Sequence, residues 1–315
     1  MTDWLLVLMV LSVAAVLSCF RFVGCTLPLE GLPAGYPKII GSETSLLAYW
    51  RLGEPLTTKV GDAAKDEIGV TPVTPTGAHH GTYQKILLDA VPASQSPATE
   101  NPPILNAGLQ PGLLLTDPSA PSVQVNGGFV SVPFDSTFNP TDKPFSVEAW
   151  VNPEWDVNEK KVFRCVVASR QDTGDGLPKF GYMIYAGPST LDLMKQDDQM
   201  YWQAWVGDGT DWVRLVMDEP LKREPTYLLL TWDGATTITL DVFPVSATAS
   251  TRKPNDKAAY KPVNDTTIPL LIGMGTPDFS PLHYPFRGRL QEIAFYNEAL
   301  QQGQVTAHVQ AAKGA

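Results

Sequence analysis

The sequence contains few charged residues and few cysteines. Asp, Glu, Lys and Arg make up 18% of the 315 residues, and 33 acidic against 23 basic residues give a formal net charge of −10. Nucleic-acid binding needs clustered Lys and Arg to contact phosphates, so this balance argues against nucleic acid as a partner. Three cysteines are too few for a disulfide scaffold. Cys165 lies in the apolar run 162–168 and is predicted to be a buried free thiol.

Long apolar runs are also scarce, since only Trp4–Phe20 is both long and uncharged. A membrane-spanning helix needs about 20 apolar residues, whereas the apolar region of a signal peptide has about 7–15. We therefore interpret residues 1–25 as a signal peptide or membrane anchor. Cys19 and Cys25 each end a short sequence loosely similar to a bacterial lipoprotein processing site. Cleavage, lipidation and retention of the segment are therefore alternatives.

Glycine and proline divide the rest of the chain. Residues 26–45 are rich in both and predict a tether to a folded domain at 46–315. Seven prolines between residues 92 and 121 exclude regular structure there, because each lacks an amide hydrogen and restricts the residue before it. We interpret 85–122 as a long surface excursion of one domain. A linker between two domains is the alternative, but 46–83 is too short to fold alone.

The body of the chain reads as short strands separated by turns. The predicted strands are Phe129–Val132, Phe145–Val151, Val162–Ser169, Gly181–Ala186, Met200–Val206, Trp212–Met217, Tyr227–Trp232, Thr236–Phe243, Ile268–Gly273 and Leu290–Tyr296. Asp233-Gly234 predicts a hairpin turn, and 246–266 reads as a loop. One helix is predicted, at Glu298–Ala312 with Asn297 as its N-cap. The lack of helices between strands favours an antiparallel sandwich over a parallel sheet.

Six segments share their order and spacing with a known family. They are Leu47–Glu54, Asp66–Gly69, Gly81–Tyr83, Phe145–Pro153, Tyr227–Gly234 and Phe286–Leu300. Over residues 46–312 they resemble laminin-G-like jelly-roll domains of the concanavalin A-like lectin/glucanase superfamily, which are related to pentraxins. The resemblance implies an all-β fold, an antiparallel two-sheet jelly-roll sandwich with a short C-terminal helix, here preceded by an N-terminal hydrophobic helix. It also implies an extracytoplasmic location.

The resemblance further implies a calcium site. Many laminin-G-like and pentraxin-like domains hold Ca²⁺ near one sheet edge, and the ion takes six to eight oxygen ligands. The resemblance singles out Asp66, with Asp62 as the neighbouring alternative, and Glu292 as a second ligand if the first and last strands pair. Further acidic candidates are the loop residues Asp172, Asp175, Asp208 and Asp211. The alternative interpretation is that these loop acids form turns.

Aromatic and polar side chains cluster between residues 201 and 212. The predicted ligand-binding residues are Tyr201, Trp202, Trp205, Asp208, Asp211 and Trp212, with Gln203 among them and Trp155 and Tyr185 as further candidates. Exposed rings beside polar groups suit a glycan, and they equally suit a protein interface. On a strand Tyr201 and Trp205 share one face while Trp202 lies on the other, so one of the two sets belongs to the core.

The acids needed for glycoside hydrolysis are not grouped in the sequence. A retaining glycosidase needs two carboxyl groups about 5–5.5 Å apart, and the glucanases of the resembling superfamily carry an E-x-D-x-E type strand for this purpose. Glu148 has Trp150 and Asn152 at the next positions on its face, and Glu292 has Ala294. We therefore expect no catalytic residues and no enzyme.

Together these features predict a non-catalytic binding or adhesion module outside the cytoplasm, in the cell envelope. Its expected partner is a glycan or a cell-surface protein, and its N-terminal segment is expected to contact the membrane. Ca²⁺ is the candidate cofactor. The alternative is a structural assembly protein of a cell-surface layer, filament or virion. A glycoside hydrolase is the third and least favoured hypothesis.

Overall fold

Two antiparallel sheets face each other in the computed structural model. The structure describes residues 36–52, 61, 63–67, 79–85, 128–153, 163–172, 178–190, 199–275, 284–286 and 288–313. All of them belong to one compact unit, Pro33–Ala315. Several predictions fall on residues outside the described ranges. They concern the signal or anchor segment, the prolines of the excursion, Asp62, Trp155 and Asp175.

Fourteen strands, two α-helices and one 3₁₀ helix (Ser136–Phe138) make up this part of the chain. In order they are α1 (Tyr36–Ser42), β1 (Leu46–Trp50), β2 (Ala63–Ala64), β3 (Gly81–Lys85), β4 (Gly128–Val132), β5 (Phe145–Pro153), β6 (Arg164–Asp172), β7 (Lys179–Gly187), β8 (Tyr201–Gly207), β9 (Trp212–Val216), β10 (Thr226–Trp232), β11 (Ile238–Pro244), β12 (Thr251–Asn255), β13 (Leu270–Ile272), β14 (Gly288–Tyr296) and α2 (Gln302–Lys313).

The strands form a six-stranded sheet, which we call sheet 1, and an eight-stranded sheet, sheet 2. Sheet 1 has the order β1-β14-β5-β10-β11-β12, and sheet 2 has the order β2-β3-β4-β13-β6-β7-β8-β9. Every pairing between the described strands is antiparallel. The expected fold class, an all-β two-sheet jelly-roll sandwich with a short C-terminal helix, is confirmed.

The main core lies between the sheets and follows from the alternation of side chains along each strand. In β5, Phe145, Val147, Ala149 and Val151 point into this core, where Phe145 stacks on Phe295 of β14 with 5.7 Å between ring centroids. Burying such a side chain contributes about 1.5–3 kcal/mol. Almost every residue of β5 is nevertheless buried, because a second layer covers its other side.

That second layer consists of α1 and α2, which pack on the outer side of sheet 1. Tyr36 and Ile40 of α1 and Val305 and Val309 of α2 share an apolar cluster with Trp150 of sheet 1. The four-residue spacing within each helix puts each pair on one face. The tether predicted over residues 26–45 therefore differs from the structure, since its last part folds into a helix with a buried side.

Two further predictions need correction. Helix α2 begins at Gln302 rather than at Glu298. The Ser146 hydroxyl donates to the Glu298 carbonyl at 2.7 Å and accepts from the Leu300 amide at 3.0 Å. These two bonds hold residues 298–300 outside the helix. The loop expected over 246–266 contains β12, an edge strand of sheet 1. Its Pro254 lacks an amide hydrogen, which an edge strand tolerates.

Within the ranges that the structure describes, none of the helices is both long enough and apolar enough to cross a bilayer. The residues predicted to form an anchor are not among those ranges, so that prediction is untested.

Candidate functional site

The outer side of sheet 2 carries a group of aromatic and basic side chains on β6 to β9. We call this group the aromatic face. Its members are Phe163, Cys165, Ala168, Arg170, Met183, Tyr185, Gln203, Trp205, Trp212, Arg214 and, just before β14, Tyr284. The strand register brings them together: Arg214 lies opposite Trp205, and Trp205 lies opposite Met183.

Alternation along β8 decides which of its aromatic residues belong to this face. Trp202 and Ala204 are part of the main core, whereas Trp205 belongs to the outer cluster. Trp202 is only 2% exposed, so its prediction as a ligand-binding residue is corrected. Tyr201 is half-buried at the start of the strand.

Two tryptophans and an arginine form the centre of the aromatic face. Trp205 and Trp212 have ring centroids 6.3 Å apart, and Trp212 is half-buried. The Arg214 guanidinium lies over the Trp205 ring at 4.5 Å from the centroid, a cation–π arrangement. Two residues apart on β9, Trp212 and Arg214 project to the same side of the sheet.

Gln203 fixes Trp205 and Arg214 through hydrogen bonds. Its amide nitrogen donates to the Pro188 carbonyl at 2.7 Å. Its amide oxygen accepts from the indole N–H of Trp205 at 3.0 Å and from Nη2 of Arg214 at 3.1 Å. Because Gln203 is fully buried, these bonds fix the ring and the guanidinium in one orientation.

Arg170 is a second arginine of the aromatic face, and it lies beside Trp212. Arg170 donates to the Tyr185 hydroxyl at 2.9 Å and to Asp172 at 2.8 Å. Its guanidinium lies 5.7 Å from the centroid of Trp212 and 5.8 Å from that of Tyr284. Burial opposes its charged form, but Tyr185 and Asp172 outweigh burial and raise the pKa of Arg170.

Asp208 and Asp211 shape the turn that joins β8 to β9. Oδ1 of Asp208 accepts from the amides of Thr210 and Asp211 at 2.7 and 2.8 Å. Oδ1 of Asp211 accepts from the Trp212 amide at 2.7 Å. Both carboxylates therefore stabilise the hairpin whose second strand begins with Trp212.

Arg170, Arg214 and Tyr284 were not among the residues predicted from the sequence. Arg214 had a usable signal, since it follows Trp212 by two residues and so shares its side of the strand. Arg170 and Tyr284 had none, because they come from β6 and from the residues before β14, and only the fold brings Arg170 to Trp212 and Tyr284 to Arg170.

The acids predicted to bind calcium lie away from the aromatic face, around Tyr49. Asp66 contacts the backbone amide of Tyr49, and Glu292 contacts its hydroxyl. Asp66 is fully buried; its Oδ1 accepts from the Tyr49 amide at 3.0 Å and its Oδ2 from the His79 amide at 2.9 Å. Glu292 accepts from the Tyr49 hydroxyl and, at 3.2 Å, from Nη2 of Arg51. Burial raises the pKa of Glu292 although Arg51 lowers it.

The first and last strands do pair, as the calcium hypothesis required. Glu292 sits in a bulge of β14 with φ 53°, which turns its carboxylate toward β1. Within the described ranges, no group of three or more His, Cys, Asp or Glu side chains is arranged to hold a metal ion. Calcium binding through Asp66, Asp62 and Glu292 stays a prediction.

A third carboxylate, Glu148, is buried under the helices on sheet 1. Its Oε1 accepts from the hydroxyls of Tyr36 and Tyr296 at 2.7 and 2.8 Å. Its Oε2 accepts from Tyr227 at 2.6 Å and contacts Nδ1 of His308 at 2.9 Å. Burial opposes the charged form, but His308 and the hydroxyl donors outweigh it and lower the pKa of Glu148.

Cys165 is a buried free thiol on the aromatic face, as predicted. Burial raises the pKa of its thiol, which keeps it protonated and unreactive.

Comparisons with solved structures give several partial likenesses. Domain 4 of AbnA, a GH43 extracellular arabinanase from Geobacillus stearothermophilus in complex with arabinotriose, is 16% identical, with 84% of this chain and 98% of that chain covered and a TM-score of 0.47. The CBM40 of an IT-sialidase from Ruminococcus gnavus is 12% identical, with 52% and 82% covered and a TM-score of 0.38. The receptor-binding domain of botulinum neurotoxin D is 7% identical, with 84% and 52% covered and a TM-score of 0.45.

A comparison with curated proteins gives no match. A laminin G family model, described as belonging to the concanavalin A-like lectin/glucanases superfamily, matches residues 125–306. These residues include β5 to β14 and all of the aromatic face. Since the match spans more than half of the chain, the protein belongs to the laminin-G-like domains of the concanavalin A-like lectin/glucanase superfamily.

Proposed function

We propose that the protein is a non-catalytic binding module that recognises carbohydrate on its aromatic face. The observation that carries this proposal is the set of half-buried side chains Trp212, Arg214 and Tyr284 around the buried Trp205. Aromatic rings stack on the apolar sides of sugar rings, while guanidinium groups donate hydrogen bonds to sugar oxygens. Sites for small ligands combine these two kinds of group.

The fixed geometry of the face supports binding. Gln203 holds Trp205 and Arg214, and Asp211 holds the start of β9 at Trp212. A site whose groups are already positioned loses little conformational entropy when a ligand binds.

The described acids support a non-catalytic role. Glu148 and Glu292 are buried and accept hydrogen bonds from neighbouring side chains. On the aromatic face, Asp172 pairs with Arg170 and Lys179. Glu148 and Glu292, the acids within the apolar strands, are therefore not placed as an accessible pair for acid–base hydrolysis of a glycosidic bond.

The proposed setting is the outer side of the cell envelope, with residues 1–25 acting as signal or anchor. Calcium at Asp66 and Glu292 is a separate proposal, which the same experiment tests. A cell-surface protein, or another copy of this chain in a layer, filament or virion, is the alternative occupant of the face.

The test is a glycan array probed with the full chain, with Ca²⁺ and again with EDTA. We expect specific glycans to bind in both conditions, and Trp212→Ala to weaken that binding at least tenfold because the exposed ring is lost. Trp212→Phe, which keeps an aromatic ring, is the matched control and retains most of the binding. Thermal melting of each variant checks that the fold is intact.

A blank array in both conditions would contradict carbohydrate recognition. Self-association in light scattering, weakened by Trp212→Ala, would then identify the face as an assembly surface. Binding that EDTA abolishes and Trp212→Ala leaves unchanged would move the site to Asp66 and Glu292.

A further inference from the structure

Arg214 is a half-buried cation without an acidic partner. Within the part of the chain that the structure describes, Arg51, Arg170 and Arg252 each pair with a carboxylate, whereas Arg214 pairs with none. Burial lowers the pKa of Arg214, and no neighbouring acid offsets the cost of removing its charge from water. An anion supplied from outside the chain would stabilise such a charge.

The hydrogen bonds of the guanidinium are incomplete. Nη2 donates to Gln203, but Nε is buried and has no hydrogen-bond partner among the described residues. Stacking on Trp205 fixes the plane of the guanidinium, so its terminal N–H groups have a defined direction. A guanidinium held in this way can donate charge-assisted hydrogen bonds from these terminal groups to a carboxylate.

The pairing of the neighbouring cations leaves Arg214 to attract an anion. Arg170 and Lys179 on β6 and β7 both pair with Asp172. Asp208 and Asp211, in the turn before Trp212, accept hydrogen bonds from backbone amides. Within the described ranges the charge of Arg214 has no such partner, so it can attract a negatively charged ligand.

Trp212 supplies the second contact for such a ligand. Trp212 and Arg214 are two residues apart on β9, and residues at this spacing are about 7 Å apart along a strand. A sugar ring stacked on Trp212 therefore brings a carboxyl substituent within reach of Arg214.

We propose, building on the carbohydrate-binding function above, that the ligand of the aromatic face is a saccharide bearing a carboxylate, with Arg214 as the group that pairs with it. Arg214 is thus a specificity-determining residue: the aromatic rings bind the sugar and the guanidinium selects the acidic form.

The test uses matched pairs of oligosaccharides on the array, each uronic-acid-containing glycan beside its carboxyl-reduced neutral form, together with sulfated glycans. The full chain is expected to bind carboxylated members at least tenfold more tightly than their neutral partners. Arg214→Gln is expected to remove this preference, so that carboxylated members bind no more tightly than their neutral partners. The control Arg223→Gln removes an exposed arginine outside the aromatic face and keeps the preference.

The outcomes separate the two proposals. Equal binding of neutral and carboxylated members, lost in Trp212→Ala and unaffected by Arg214→Gln, would overturn the role of Arg214 and leave carbohydrate recognition standing. Preference for sulfated members over carboxylated ones would also overturn it. Binding of no member at all would overturn both proposals. Weaker binding of the acidic members at higher NaCl would support the charge pairing.

Discussion

Glu148 is a single buried residue that joins its own strand to four other elements of the fold. It lies on β5 and accepts hydrogen bonds from Tyr36 on α1, and it contacts His308 on α2. A carboxylate without water is stable only when donors surround it, and four side chains supply them here. This network explains why the Glu148 carboxylate is stable although it is buried between sheet 1 and the helices that cover it.

Replacing Glu148 by Ala is expected to destabilise the protein strongly. The substitution leaves His308 and three tyrosine hydroxyls buried without their acceptor, and removing one partner of a buried pair costs about 3–5 kcal/mol. Urea denaturation measures the change in the free energy of unfolding. The exposed Glu219→Gln is the control and is expected to change it by less than about 0.5 kcal/mol. A loss for Glu148→Ala as small as that of the control would contradict this account of the network.

Single residues also show what the sequence could predict. Alternation separates Trp202 from Trp205, so the sequence analysis correctly expected one of them in the core. It could not say which, because that depends on the side of the sheet that meets the opposing sheet. Asp208 and Asp211 were correctly given turn formation as an alternative, which their bonds to backbone amides now support.

At the scale of elements, His308 links α2 to Glu148 on sheet 1 and to Glu43, which follows α1 in the chain. Its Nδ1 contacts Glu148 at 2.9 Å and its Nε2 contacts Glu43 at 3.1 Å. Burial favours the neutral ring, but the two carboxylates outweigh burial and raise the pKa of His308. The protonated ring donates to both acids at once, whereas the neutral ring donates to only one.

The stability contributed by His308 is expected to depend on pH. Because its folded-state pKa lies above its unfolded value of about 6.5, this stability is fully present below pH 6.5 and is lost as pH rises through the folded-state pKa. The difference in unfolding free energy between wild type and His308→Gln, measured in urea from pH 5.5 to 9, should therefore shrink with rising pH. Taking this difference cancels the titration of His79. A difference that grows with pH would contradict the protonated state of His308.

The elements that the sequence missed have a common physical reason. Helix α1 is too short to show a helical period by itself, and its side chains become buried only against α2 and sheet 1. Strand β12 contains Pro254 and mostly exposed residues, so it lacks the alternation that marks a strand. Its position depends on pairing with β11, including the bond of Arg252 to Asp241 at 2.8 Å.

At the scale of the whole molecule, the two sides of the sandwich have different roles. Helices cover the outer side of sheet 1, whereas the outer side of sheet 2 carries the aromatic face. The sequence motifs predicted the architecture because the alternating strands and the hairpin at Gly234, where φ is 85°, are local features. The site could not be predicted as fully, since Arg170 reaches Trp212 only through the sheet order and Tyr284 reaches Arg170 only through the folded chain.

The most direct test of carbohydrate binding on the aromatic face is to locate a bound glycan on the protein. The measurement is the NMR spectrum of the tryptophan indole N–H groups in the full chain, recorded during titration with a glycan that binds on the array. We predict that the signals of Trp205 and Trp212 shift and those of Trp50 and Trp150 stay in place. Shifts confined to Trp50, which lies beside the Asp66 site, would contradict the proposed location of binding.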